Sequence, residues 1–334
     1  MKKTFQLKKR IDKKGIREVI YLKNERKGGC PFKCKMCDIK KQCFYVSKNE
    51  NKKRIISEIT KIDVKGPIYK KYDRSILIYN SGNATNPEEL CTENLKFLLI
   101  SIENLKIKPL SVIMSTRGAF VNKKLLDFFI GLKLSYDIFF NLGVESLTDK
   151  GKEIYGKLSI QEELDKEFNL LRRYNLKNKS NFGIVYNFLF LPEFFVDNRK
   201  NNEDIIYGFV KEITTFINKY YNKGVEIRIN LHPFYQTKKL KFKNAPLREF
   251  IAGAMIIQRF INGENINKFL KRKISSVDFL KNKNPLSNKQ KKQTDIFIGV
   301  QDYGYETKIW KKELKKWGKH IKAINEGKCL PLFP

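Results

Sequence analysis

Short apolar runs with β-strand composition recur along this chain at the pace of βα units, and that rhythm restricts its fold more than any other feature. The runs are Arg17 to Leu22, Ser75 to Asn80, Leu110 to Met114, Asp137 to Leu142, Phe182 to Leu191, Val225 to Leu231 and Asp295 to Val300, most of them ending in polar or glycine-bearing residues. Between them, Pro87 to Ile102, Asn122 to Phe129, Ile160 to Tyr174 and Asp204 to Tyr221 carry apolar residues at three- and four-residue spacing and are predicted helices. The first of these is expected to begin at Pro87 behind an Asn86 N-cap, with Glu88 and Glu89 in its first turn. Strands separated by helices of this length form a parallel sheet covered by helices. Seven candidate strands, six regularly spaced, favour an α/β fold of the curved or closed barrel kind over a doubly wound sheet. In parallel barrels the chemistry sits at the C-terminal ends of the strands, which is where the polar motifs of this chain fall. The rhythm loosens after His232, where a helix is predicted from Pro246 to Phe260 and an apolar-periodic stretch from Ile266 to Phe279, followed by a basic, Asn-rich loop at 281–293. The expected organisation is a basic lead-in at 1–16, a barrel at 17–235 and a C-terminal α/β extension at 236–334.

A 41% hydrophobic chain of 334 residues with 25 Phe and 15 Tyr is not a disordered one. Its 68 basic residues against 35 acidic give a formal charge of +33, a field that attracts phosphate backbones, anionic membranes and acidic substrates. Lysine runs such as Lys311-Lys312 and Lys315-Lys316 also fit a plain solvated surface, and an excess of Lys, Asn and Ile fits biased genomic base composition. No stretch reaches the roughly 18–20 apolar residues of a membrane span. The basic N-terminus leads into further charge instead of an apolar segment, so the expectation is a cytoplasmic protein. In that setting six cysteines are reduced thiols or metal ligands, not disulfides.

Three of the six, Cys30, Cys34 and Cys37, have the spacing C-x3-C-x2-C in a glycine-marked loop behind the first predicted strand. Soft thiolates select zinc or iron-sulfur clusters, and closed structural sites take four ligands. Three thiolates would leave one iron of a four-iron cluster open to a cofactor. The competing reading is a zinc knuckle with Cys43 as fourth ligand. Cys91 and Cys329 stand apart from the motif.

The cysteine loop, with Phe32 before the second cysteine and Met36 before the third, resembles the signature of the radical S-adenosylmethionine superfamily. That resemblance implies a partial (β/α)6 TIM-like barrel of the radical SAM type and a [4Fe-4S] cluster on Cys30, Cys34 and Cys37. It further implies S-adenosyl-L-methionine bound at the open iron and cleaved reductively to a 5′-deoxyadenosyl radical, with oxygen sensitivity and an electron donor such as ferredoxin or flavodoxin. Asn80, Ser81 and Gly82 stand where relatives bind the cofactor's amino group, as a variant of the usual Gly-Gly-Glu. Arg117, in Ser115-Thr116-Arg117, is a candidate partner for the methionyl carboxylate. Glu145, in Gly143-Val144-Glu145-Ser146, is similar to a strand ending in radical enzymes related to the elongator catalytic subunit and the archaeosine synthase radical subunit. Arg228, Asn230 and His232 alternate on one strand and so share a face, which makes Arg228 and His232 further cofactor or substrate candidates. Tyr186 and Asn187 are of the same kind.

The resemblance covers about residues 17–235 and leaves the substrate open. Its nearest branches and the positive charge point to a tRNA base, whereas a small molecule or peptide is the alternative if the lysines are only solvated surface. Outside the enzyme class stands a basic nucleic-acid-binding protein with structural zinc.

Overall fold

The computed structural model describes residues 10–12, 15–32, 45–63, 73–80, 82–155, 160–178, 180–190, 202–220, 224–233, 247–270, 294–298 and 311–331. They fall into two compact units, one made of Met1–Lys33, Cys37–Gly143 and Glu162–Val185, the other of Cys34–Met36, Val144–Gln161 and Tyr186–Pro334.

The first unit is a parallel sheet with its helices. The strands are β1 (Arg10–Asp12), β2 (Gly15–Leu22), β3 (Arg74–Asn80), β4 (Ser111–Thr116), β5 (Asp137–Glu145, in this unit to Gly143) and β6 (Phe182–Leu189, in this unit to Val185). They are ordered β1-β2-β3-β4-β5 with no reversal of the kind a doubly wound sheet requires. β1, within the expected lead-in, pairs antiparallel with β2, and β2 to β5 run parallel in registers such as Leu22↔Asn80 and Met114↔Phe140. The helices are α1 (Lys48–Ile62), α2 (Thr92–Glu103), α3 (Lys123–Gly131) and, after α4 (Asp149–Tyr155) of the other unit, α5 (Ile160–Asn178). α1 starts at a Ser47 capping box, in which Ser47 Oγ accepts from Glu50 N–H and the Glu50 carboxylate accepts from Ser47 N–H.

One face of this sheet is buried from β2 to β5, and the other is buried along much of β4 and β5 but only part-buried along β2 and β3. On one, Phe129, Phe140 and Phe182 pack with ring centres 6.0–6.3 Å apart. On the other, Ile113, Phe139 and Val185 form a cluster, and Gly183 leaves room for the Phe139 ring, which would lie 2.2 Å from a Cβ there.

The start of β3 carries an ion pair with almost no solvent contact. Arg74 Nε donates to Glu18 Oε2 of β2 (2.6 Å), Nη2 to the Ile62 carbonyl ending α1 (2.5 Å) and Nη1 to the Ile107 carbonyl ahead of β4. One guanidinium thus ties two strands, a helix end and a loop at the end of the sheet remote from the polar motifs.

The second unit holds the remainder of β6, then β7 (Glu226–His232) and β8 (Thr294–Ile298), with α6 (Asn202–Tyr220), α7 (Leu247–Ile261) and α8 (Lys311–Asn325). β7 and β8 pair in parallel, Leu231↔Ile298 at one end, and Phe190 N–H donates to His232 O (2.9 Å). Tyr186 and Phe188 meet Phe216 of α6 edge-on, and Phe190 meets Phe209 and Phe250. α7 is buried on nearly all sides, and Gly253 lets it approach Phe209 so closely that a Cβ would lie 2.8 Å from the ring. α8 buries Trp317, Ile321 and Ile324 while Lys316 and Lys319 face water, so part of the lysine-rich tail belongs to an amphipathic helix.

Removing one partner of a buried ion pair leaves the other uncompensated, at a cost of about 3–5 kcal/mol. Arg74→Met is expected to destabilise the protein by that order in urea unfolding, and Glu18→Leu added to it to recover a large part of the loss.

Candidate active site at the strand ends of the first unit

Beyond β2 the chain enters a short polar loop that reaches Cys30. Asn24 is fully buried, and Gly28 and Gly29 adopt φ of 85° and 72°, backbone that only glycine enters freely. Gly29 N–H donates to Arg26 O (3.0 Å), closing a turn immediately before Cys30. Beyond β3, residues 82–91 form a second polar turn against the first.

The two turns are joined by Glu89, which has no solvent exposure. Its carboxylate accepts from Asn24 Nδ2 (2.8 Å), Asn83 N (3.1 Å), Asn83 Nδ2 (2.6 Å) and Asn86 Nδ2 (2.9 Å). Its carbonyl accepts from Asn80 Nδ2 (3.0 Å) and Glu25 N–H (2.9 Å). A buried carboxylate needs such a shell of donors, since the desolvation it suffers is otherwise uncompensated. The shell dictates the sequence at residue 82, because a Cβ there would sit 1.6 Å from Glu89 Oε2. Gly82 is therefore glycine because the carboxylate occupies the space of a side chain.

Drawing Glu89 inward also changes the expected helix. The segment from Asn86 to Leu90 is a turn in which Glu89 and Leu90 N–H both donate to Asn86 O, and α2 begins only at Thr92 with Cys91 at its N-cap. Glu25 accepts Cys91 N–H (2.9 Å) and Asn94 Nδ2 (2.7 Å) at that helix start. Arg26 reaches Glu88 (3.1 Å) and the Gly29 carbonyl (3.0 Å), so loop, turn and helix end are one connected polar assembly.

Cys30, half-buried, lies at the edge of this assembly, with Asn83 Nδ2 3.8 Å from its sulfur. Cys34 and Cys37, with Cys43 and Ser81, lie outside the described residues. Among the described residues no group of three His, Cys, Asp or Glu is placed to hold a metal ion. Asn80, at the tip of β3, is buried and its Oδ1 has no hydrogen-bond partner among the described residues, an acceptor suited to an ammonium donor. A cysteine sulfur, a close-approach glycine and an acceptor unpartnered among the described residues thus lie in the segments beyond two adjacent strands, donor types that would suit an iron-sulfur cluster and an amino-acid cofactor. The Cys91 thiol is pushed up to about 11, by burial first and by the Glu25 and Glu93 carboxylates next. It stays a thiol, consistent with a structural role at the helix start.

Arg117, at the end of β4, lies with its guanidinium carbon 3.8 Å from the centre of the Phe32 ring, and Phe32 also meets Phe120 edge-on. The contact fastens the cysteine loop to the next strand end. One residue on, Gly118 faces Glu167 of α5, whose carboxyl would overlap any Cβ placed there. Burial, with a smaller contribution from Glu163, pushes Glu167 up to about 8, and its Oε2 has no hydrogen-bond partner among the described residues. Asn83, Glu89 and Glu167 were not singled out as site residues from the sequence. The signal for Glu89 is its nearness to Gly82, while the Asn86-Pro87 capping pattern places it in a first helical turn.

Described within the second unit, Glu145 ends β5 at φ 63°, in the left-handed region that a non-glycine residue occupies only under constraint. Ser146 N–H donates to Val144 O (2.8 Å), closing a three-residue turn around it, and Ser146 Oγ reaches Glu212 Oε1 (3.3 Å). Along β7, Glu226, Arg228 and Asn230 occupy the half-exposed face. Arg228 Nε pairs with Glu226 (3.0 Å), Asn230 Nδ2 donates to Asn187 Oδ1 (2.9 Å), and His232 is buried at the strand end.

No family model and no curated protein matches the chain. Among solved structures, it is similar to the archaeal Methanocaldococcus infernus Elp3 with an N-terminus deletion (1-46), at 13% identity and TM-score 0.44 over 72% of this chain and 54% of that one. It is also similar to TsrM, a radical S-adenosylmethionine methyltransferase from Kitasatospora setae with cobalamin and [4Fe-4S] cluster bound, at 14% identity and TM-score 0.36 over 65% of this chain and 34% of that one. The chain thus spans about half the length of the first and a third of the second. Function is accordingly read from this chain's own residues.

The raised Glu167 gives a signed pH effect. Between the ordinary carboxyl range and about 8 the folded protein holds a proton that the unfolded chain releases, so stability falls as pH rises through that window. Glu167→Gln is expected to flatten this slope and to be the more stable form at pH 8, measured by urea unfolding across pH 5–9 alongside the unsubstituted protein.

Proposed function

We propose that this protein is a radical S-adenosylmethionine enzyme on a partial (β/α)6 barrel, with Cys30, Cys34 and Cys37 holding a [4Fe-4S] cluster. The observation that carries the reading is the C-x3-C-x2-C loop directly after the first parallel strand, with Cys30 beside the Gly82 turn that ends the second. When bound, the cluster supplies the electron that cleaves S-adenosylmethionine to a 5′-deoxyadenosyl radical.

The chain's own residues orient and enclose. Asn80 Oδ1 offers an acceptor to the cofactor's ammonium group, and Gly82 keeps the strand end free of side-chain bulk. Arg117, which also braces the start of the cysteine loop through Phe32, is assigned to the cofactor's methionyl carboxylate. Glu145, fixed by its strained turn, presents a carboxylate to the cofactor, and His232 with the paired Arg228 is assigned to the cofactor or substrate. Asn24, Asn83, Asn86 and Glu89 keep the first two strand ends in register with each other.

For the substrate, we favour a nucleic-acid base, as in tRNA, over a small molecule or peptide. The support is the +33 charge together with a shallow basic depression on α5 lined by Lys166, Asn169, Arg172, Arg173 and Leu176. The electron donor is assigned to the ferredoxin or flavodoxin class.

Protein reconstituted without oxygen is expected to hold about four irons per chain, as a cluster of this class requires. With dithionite and S-adenosylmethionine it should release 5′-deoxyadenosine, and Cys34→Ala should lose both cluster and cleavage. One zinc per chain, no iron uptake and no cleavage would reject the enzyme. Screening bulk tRNA against small-molecule pools for turnover-dependent modification then decides the substrate class.

A further inference from the structure

Resting on the cluster reading above, we infer that Asn83 sets the reduction potential of the centre held by Cys30, by donating a side-chain N–H to that cysteine's sulfur. Asn83 is buried, and its Nδ2 lies 2.6 Å from Glu89 Oε1 and 3.8 Å from Cys30 Sγ. An amide nitrogen carries two hydrogens, so one nitrogen serves both acceptors. The orientation of the amide is fixed chemically, because turning it over would set Oδ1 against the Glu89 carboxylate, oxygen on oxygen. Nor can it drift. Asn83 N–H is held by Glu89 Oε2 (3.1 Å), Ala84 N–H by Ser115 O (2.8 Å), and Glu89 itself by Asn24 and Asn86.

A donor aimed at a ligand sulfur stabilises the more negative of two redox states, so it raises the potential of an iron-sulfur centre. Glu89 acts here as a positioning residue, and Asn83 as the group that touches the ligand. The tuning device is thus a side chain of the turn after β3, borrowed from the assembly that shapes the strand ends.

The test uses the full chain, reconstituted without oxygen, with iron content read first and the potential then read by titration followed by the electron paramagnetic resonance of the reduced cluster. Asn83→Leu, which removes the donor at similar size, is expected to shift the potential to a more negative value at unchanged iron content. An unchanged potential in a fully loaded variant overturns the inference and leaves the enzyme assignment intact. Should the variant fail to fold, the unsubstituted protein carrying 15N in its asparagine side chains gives an independent reading. A 15N coupling to the reduced cluster supports the bond, and its absence overturns it. Failure of the unsubstituted protein to take up iron overturns the cluster reading, and this inference with it.

Discussion

A carboxylate fully withdrawn from water, Glu89, governs the end of the sheet where the candidate chemistry lies. Its two oxygens and its carbonyl gather donors from Asn24, Glu25, Asn80, Asn83 and Asn86, residues that belong to the ends of two neighbouring strands and the turns beyond them. A buried acceptor of this strength fixes everything that must supply it with hydrogen. It makes residue 82 a glycine, delays the start of α2 by several residues, and brings Asn83 to the sulfur of Cys30. Neither turn could take its shape without the other.

The opposite end of the same strands is held by a different device. Arg74 and Glu18 are a charged pair, and the guanidinium donates to carbonyls from two further segments. Such a pair is costly to form and costlier to break, so it specifies the pairing of β2 with β3 without any role in chemistry. Stability and function are thereby divided along the strand axis, as in parallel α/β architectures generally. At the candidate site amides satisfy the carboxylate without adding charge, and the Asn83 nitrogen keeps a second hydrogen for another acceptor.

Much of this was legible in the sequence. The strands fall within a few residues of where alternating apolar runs placed them, because a buried parallel strand needs little beyond such a run and a polar stop. α1 and α8 were harder. Their apolar residues are sparse among lysines, and only the finished packing shows that Ile55 and Ile62, or Trp317 and Ile321, suffice to anchor them. At the candidate site, the C-x3-C-x2-C spacing singles out Cys30, and the family resemblance at a strand end singles out Asn80 and Gly82. Glu89 is expected in a first helical turn because capping signals see only neighbours along the chain, whereas its partner Asn24 is 65 residues away. Arg117, a candidate partner for the methionyl carboxylate, also lies against the ring of Phe32, a contact no local pattern encodes.

The asparagine content reads differently once the structure is on hand. An excess of Asn beside Lys and Ile fits drift in base composition, and at exposed positions that account is sufficient. It does not account for Asn24, Asn51, Asn80, Asn83, Asn86 and Asn94, all buried and all hydrogen-bonded around the loop that leads to Cys30. Neutral donors of this kind order a loop without adding charge. Around Cys30 the carboxylates of Glu25 and Glu89 are met by amides and Glu88 by Arg26. The amides that order these strand ends carry no charge, so the local organisation of the loop does not depend on the lysine excess of the chain.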